Sequence, residues 1–262
     1  WPSPWGRGRP GWHIECSAMA TSLLGSTIAI HAGAVDLIFP HHENEIAQSE
    51  GATKKPFVRY WLHGEHLTVE GSKMSKSLGN VHTLRDLIAR GGEPLAFRYL
   101  VLTAHYRSKL NFTWDSLASS GTALGRLRDT VLALRRAARR AAADAASARR
   151  VTRYERAFRG AIENDLDTPS ALATLWELAR DTLVSPREKL DTLLRFDTVL
   201  GLGLSSVRPV PVPRAVRALI AEREAARARR DFAASDTLRD RIAALGFSVD
   251  DTPDGPVIRR AA

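Results

Sequence analysis

The stretch I-A-I-H at Ile28 to His31, a helical segment beginning near His41, and then V-R-Y-W-L at Val58 to Leu62 together decide the fold. Two β-rich runs separated by a helix-length segment form the repeating unit of a parallel sheet, because a parallel crossover spans a dozen or more residues and is usually helical. A third β-rich run at His66 to Val69 and an earlier helical stretch near His13 continue the alternation. The first part of the chain is therefore expected to belong to an α/β, parallel-sheet domain.

Beyond it the periodicity changes. Leu84 to Ala89 and Pro94 to Ala104 read as short helices broken by Gly91-Gly92. From Trp114 the pattern is helical for nearly ninety residues, with Leu124, Leu127, Val131 and Leu134 on one stripe and most of the neighbouring arginines off it. Further helices are expected from Arg153 to Asp165, from Thr168-Pro169, and after Ser185-Pro186, which together suggest a bundle. Val207 to Pro213, with three prolines, reads as a stiff linker. Helices at Ala215 to Arg229 and Phe232 to Ala244 follow, stopped by Gly246, with a hairpin turning at Asp254-Gly255. The fold class is thus α/β plus all-α, in five segments: 1–70, 71–113, 114–206, 207–213 and 214–262.

Composition narrows the function. The net charge of +9 favours a polyanionic partner, since clustered cations gain by neutralising phosphates and releasing counterions. No apolar run of the roughly 18 residues needed for a membrane span occurs, and a soluble cytoplasmic protein with no membrane partner is expected. A single cysteine, Cys16, excludes an internal disulfide. All eight histidines and both methionines precede residue 106, so the chemistry is expected in the first part and scaffold or binding in the rest.

Two constellations carry that chemistry. Lys73-Met74-Ser75-Lys76-Ser77 places two ammonium groups on one loop after a β-rich run, where they can reach nucleotide phosphates and stabilise the charge of departing pyrophosphate. A surface charge patch would look the same from K-x-x-K alone. Cys16, His41 and Glu45 offer a thiolate, an imidazole and a carboxylate, the last two four residues apart on one helix face. Spacing allows either a three-point zinc site or an inert thiol beside a polar helix.

K-M-S-K-S-L-G-N at Lys73 to Asn80 resembles the second signature of class I aminoacyl-tRNA synthetases. G-W-H-I-E-C-S-A-M at Gly11 to Met19 and F-P-H-H-E-N-E-I-A-Q-S at Phe39 to Ser49 resemble the cysteinyl-tRNA synthetase family in particular. E-N-D-L-D-T-P at Glu163 to Pro169, F-D-T-V-L-G-L-G-L at Phe196 to Leu204, and the terminal D-F-A-A-S-D and D-D-T-P strings are similar to its anticodon-stem bundle and small anticodon domain.

The resemblance implies a partial Rossmann-like catalytic domain that activates L-cysteine with ATP, accompanied by magnesium, and transfers it to the tRNA for cysteine. It implies one zinc ion on Cys16, His41 and Glu45, a second family cysteine having no counterpart here. It further implies an amino-acid pocket lined by Trp12, with His13 and His31 nearby, and phosphate contacts from Lys76 supported by Lys73. His31, Gly33 and Asp36 would belong to the ATP segment, Asp36 facing the ribose. Ala32 and Ala34 depart from that segment's usual glycines and add methyl groups where adenosine would approach. The family's H-I-G-H signature has no match here, so the 262-residue chain alone is expected not to form aminoacyl-adenylate, and to be a monomer. Alternatives are a mycothiol-pathway cysteine ligase and a non-catalytic tRNA-binding fragment or paralogue. His42, His63, His66, His82 and His105 are assigned no role.

Overall fold

A computed structural model describes residues 1–139, 144–251 and 255–260, apart from the side chains of Lys76, Val257 and Arg259. The chain divides into two units, Trp1–Val81 with Leu100–Ser116 and Ala161–Pro169, and His82–Tyr99 with Leu117–Gly160 and Ser170–Ala262.

The first unit opens with a two-residue antiparallel pair, β1 (Pro2–Ser3) and β2 (Gly6–Arg7). Helix α1 (Trp12–Leu24), strand β3 (Ile28–Ala34), helix α2 (Glu43–Thr53) and strand β4 (Val58–Gly64) follow. Strands β3 and β4 pair in parallel from Ile28 opposite Val58 to Ala34 opposite Gly64, which is the α/β unit expected from their spacing. Ile28 and Phe57 are buried at its base. A second sheet has the order β6 (Ser72–Lys73), β5 (Leu67–Val69), β7 (Leu110–Phe112), with β5 antiparallel to β6 and parallel to β7. At three residues β7 is too short to show alternation.

Helices fill the second unit. Thr83 and Asp86 form a reciprocal capping box at the start of α3 (Leu84–Ala89), and α4 (Pro94–Leu102) follows the glycine pair. Four longer helices are α5 (Trp114–Ala138), α6 (Ala145–Glu163), α7 (Thr168–Arg180) and α8 (Pro186–Leu200). The α5 stripe is the one read from spacing: Leu124, Leu127 and Val131 are fully buried and Leu134 is buried. Phe158 and Phe196 stack with ring centroids 4.0 Å apart.

Helix α6 starts eight residues before its expected Arg153. The cause is Asp144, whose carboxylate accepts from the Ala146 and Ser147 amides and from the Ser147 hydroxyl. The F-D-T-V-L-G-L-G-L string also acquires a physical reason. Asp197 accepts from the amides of Leu202 and Leu204 at 2.6 and 2.7 Å, while Gly201 ends α8 at φ 66°.

Past the linker, α9 (Arg214–Ala228) and α10 (Phe232–Ala244) pack with an antiparallel hairpin, β8 (Phe247–Asp250) and β9 (Val257–Arg260). Val216, Leu219, Ile220, Ile242, Phe247 and Val249 form their core. The hairpin was expected, while Asp254 of its expected turn lies outside the described residues.

Candidate functional site

Four elements of the first unit bring the histidine-rich region together. Trp12, His13 and Cys16 lie on the first turns of α1, His31 on β3, His41 and His42 on the irregular segment before α2, and Glu45 on its first turn. Gln48 of α2 accepts from the Ser17 hydroxyl at 2.8 Å, fixing α1 against α2 and thereby placing Cys16.

At the centre is Glu45, with no exposed surface. His41 Nε2 stands 3.3 Å from one carboxylate oxygen and His31 Nε2 3.1 Å from the other. Neither approach has hydrogen-bond geometry, so both oxygens are buried without a hydrogen bond. Such a group is costly to bury without a hydrogen bond. The ligand atoms of Cys16, His41 and Glu45 all lie within 4.8 Å of one another, and so do those of His31, His42 and Glu45.

The histidines are oriented by one another. His13 Nδ1 and His41 Nδ1 share a hydrogen bond of 2.7 Å, and in the tautomer where His41 donates, its Nε2 is a bare lone pair facing the carboxylate. Two lone pairs directed at one space are the electrostatic condition a cation relieves. Trp12 stacks on the His41 ring at 4.4 Å, yet is 60% exposed, so one face of the indole supports the imidazole and much of the ring stays accessible. Burial first, and then the Glu45 carboxylate, push the Cys16 thiol up from its ordinary value. An adjacent cation acts in the opposite sense.

His42, given no role from the sequence, is buried in the middle of this group. Its Nδ1 lies 2.8 Å from His63 Nε2, and Trp61 packs against it with centroids 4.8 Å apart. Burial, followed by His31, His63 and His41, lowers its imidazole to about 4, so it is neutral at physiological pH. Gly33 explains why. A Cβ there would meet His42 Cε1 at 2.7 Å and Nε2 at 3.0 Å, so glycine is required at this position to admit the imidazole. The His41-His42 pair, one turn from Glu45 and downstream of a glycine in a strand, was the available signal.

Lys73 is exposed in β6, and Lys76 opens the short turn to Leu78, its side chain being outside the described residues. Asn80 holds this loop at both ends, accepting from the Ser75 amide at 2.8 Å and donating to the Lys73 carbonyl at 3.0 Å. Ser75 Oγ accepts from the Leu78 amide at 3.3 Å and lies 3.1 Å from Ser77 Oγ. Asn111, not singled out from the sequence, fastens the preceding turn by accepting from the Gly71 amide at 2.8 Å. Asp36 is largely exposed and faces His66 Nε2 at 3.4 Å.

No helix among the described residues is long and apolar enough to cross a membrane. The family model described as tRNA synthetases class I (C) catalytic domain matches residues 1–122, and that of the cysteinyl-tRNA ligase anticodon binding domain matches residues 211–259. Cysteine–tRNA ligase of Chlamydia caviae is 45% identical over 271 residues, covering 99% of this chain and 57% of the relative. Cysteine–tRNA ligase 1 of Burkholderia lata is 49% identical, covering 97% and 53%, and the Methanosarcina acetivorans enzyme is 44% identical, covering 99% and 57%. Among solved structures, a LeuRS from Agrobacterium radiobacter in a ternary complex with tRNA and LeuAMS aligns at TM-score 0.56 and 15% identity, over 68% of this chain and 26% of that one, which shows the fold. The chain spans little more than half the length of these curated relatives, and over that span it is similar to cysteine–tRNA ligases along nearly its whole length, with residues 1–122 matching a class I catalytic domain and 211–259 an anticodon-binding domain.

Proposed function

We propose that this chain supplies the cysteine-selecting, phosphate-binding and tRNA-binding parts of a cysteine–tRNA ligase. In the whole reaction, cysteine and ATP, the latter with magnesium, give cysteinyl-adenylate and pyrophosphate, and cysteine then passes to the terminal adenosine of its tRNA. The observation that carries this reading is the buried carboxylate of Glu45, which accepts no hydrogen bond and lies within ligand distance of Cys16 and His41, in a chain that also holds the K-M-S-K-S loop.

The donor set fits zinc: a thiol, an imidazole and a carboxylate converge around an oxygen pair that lacks hydrogen bonds. Bound zinc supplies a soft Lewis acid that favours a cysteine thiolate over a serine hydroxyl, a distinction that size alone makes poorly. Cys16, His41 and Glu45 would hold it, His13 would fix the His41 tautomer, and the open face of Trp12 would bound the amino-acid pocket. Lys73 and Lys76 would bind the ATP phosphates and stabilise the charge of departing pyrophosphate, on a loop held in shape by Asn80. His31, Gly33 and Asp36 would flank the nucleotide, with Gly33 acting through the packing of His42. The anticodon-domain match at residues 211–259 favours tRNA over an amino sugar as the cysteine acceptor. We place the protein in the cytoplasm as a monomer.

The test is cysteine-dependent exchange of pyrophosphate into ATP by the protein at its relatives' length, together with metal analysis. Exchange supported by cysteine and not serine, and reduced about a hundredfold or more by Lys76→Ala, is expected. Equal exchange with serine, or zinc content unchanged in Cys16→Ser, would overturn the reading.

A further inference from the structure

Glu45 presents its two oxygens to two different sets of donors. One oxygen faces His41 at 3.3 Å, and the other faces His31 at 3.1 Å. The second set, His31, His42 and Glu45, brings its ligand atoms within 4.8 Å of one another, as the first set does, but contains no thiol. His42 is oriented as a ligating imidazole would be. Its Nδ1 is engaged with His63 at 2.8 Å, which leaves Nε2 for another partner. His31 packs edge-on to His42 with centroids 4.9 Å apart, and Trp61 and Phe57 pack against His31 at 4.9 and 6.0 Å. If this were an ordinary hydrogen-bonded cluster, the oxygen facing His31 would accept from it with good geometry. It does not, although the carboxylate is fully buried.

We propose that His31, His42 and Glu45 form a second cation position, independent of Cys16, that takes a borderline divalent transition ion. Two neutral imidazoles and one carboxylate suit zinc, cobalt, nickel or ferrous iron and are poor ligands for magnesium or calcium. This site goes beyond the reading above: it shares Glu45 with the thiol-containing set and His31 with the residues placed beside the nucleotide. The carboxylate can serve both because each of its oxygens faces a different imidazole.

Cobalt(II) titration of the chain, followed by absorption, tests the proposal. Cys16→Ser combined with His41→Gln dismantles the thiol-containing set. That double variant should still bind one equivalent of cobalt, with visible ligand-field bands and no thiolate-to-cobalt band in the near ultraviolet. Adding His42→Gln should then weaken binding at least tenfold. No cobalt bound by a folded double variant, or an affinity indifferent to His42→Gln, would overturn it. Where helix content by circular dichroism shows the double variant unfolded, the unaltered chain decides. A second equivalent that raises the ligand-field bands without the thiolate band supports the site, and saturation at one thiolate-bound equivalent overturns it. A chain that binds cobalt without any thiolate band would keep this site and sink the zinc assignment to Cys16.

Discussion

Glu45 in the first unit and Arg223 in the second are both fully buried charged side chains, and they are treated in opposite ways. Arg223 donates two parallel hydrogen bonds to Asp251 at 2.8 and 2.9 Å and another to Glu224, and Arg227 also reaches Asp251. Only its Nε goes without a partner. Glu45 has two imidazole nitrogens at hand and no hydrogen bond to either oxygen. A bidentate pair is a finished structural unit that joins α9 to the residue following β8. A buried carboxylate that accepts no hydrogen bond, with an imidazole nitrogen beside each oxygen, is a less complete one.

Breaking the finished unit should have the largest effect. Asp251→Ala leaves the Arg223 guanidinium buried without its main partner, so a loss of about 3 kcal/mol is expected in the stability of the terminal helices and hairpin. Urea unfolding followed by circular dichroism measures it. A change below about 0.5 kcal/mol would mean that solvent reaches Arg223 and that the contrast with Glu45 does not hold.

Glu45→Gln should move stability the other way. Replacing a buried carboxylate that accepts no hydrogen bond should stabilise the metal-free chain by about 1 kcal/mol or more, while abolishing the stabilisation that added zinc gives the unaltered protein. Thermal melts with chelator and with zinc read both effects. Destabilisation of the chelated variant to the extent seen for Asp251→Ala would show that Glu45 is part of the scaffold.

How much of this contrast was legible in the sequence depends on the range of the interactions. The α/β alternation, the α5 stripe, the start of α10 at Phe232 and the helix after Ser185-Pro186 were readable because each follows from neighbours within a turn or two. Cys16, His41 and Glu45 were readable as one set because the family resemblance carried its zinc ligands onto these positions one by one. The central position of His42 was not, since it depends on a missing methyl at Gly33 nine residues upstream and on His63 across the sheet. Asn111 escaped for the same reason, acting forty residues away on the turn at Gly71. The early start of α6 turned on one side chain, Asp144, whose flanking alanines show no periodicity.

The smallest expected effect concerns Asp181, a buried carboxylate that, unlike Glu45, is fully served. Arg150 donates to it at 2.6 Å, the Leu183 amide and the Tyr154 hydroxyl each at 2.8 Å, and these hold its carboxyl at about 2, below the ordinary 3.8. Arg150 contributes most, ahead of the Leu183 amide and Tyr154, against the opposing effect of burial. Because the folded value is the lower one, the contribution is fully present above pH 3.8 and is lost as pH falls towards 2. With Arg150 partly exposed, solvent screening reduces the worth of the pair, and Asp181→Asn should cost about 1 kcal/mol at neutral pH. The same substitution should flatten the decline of stability between about pH 4 and pH 2. Acid unfolding of the variant parallel to that of the unaltered chain would show that Asp181 titrates alike in both states. The difference between a charged group served by hydrogen bonds and one without them would then have to rest on Arg223 and Glu45 alone.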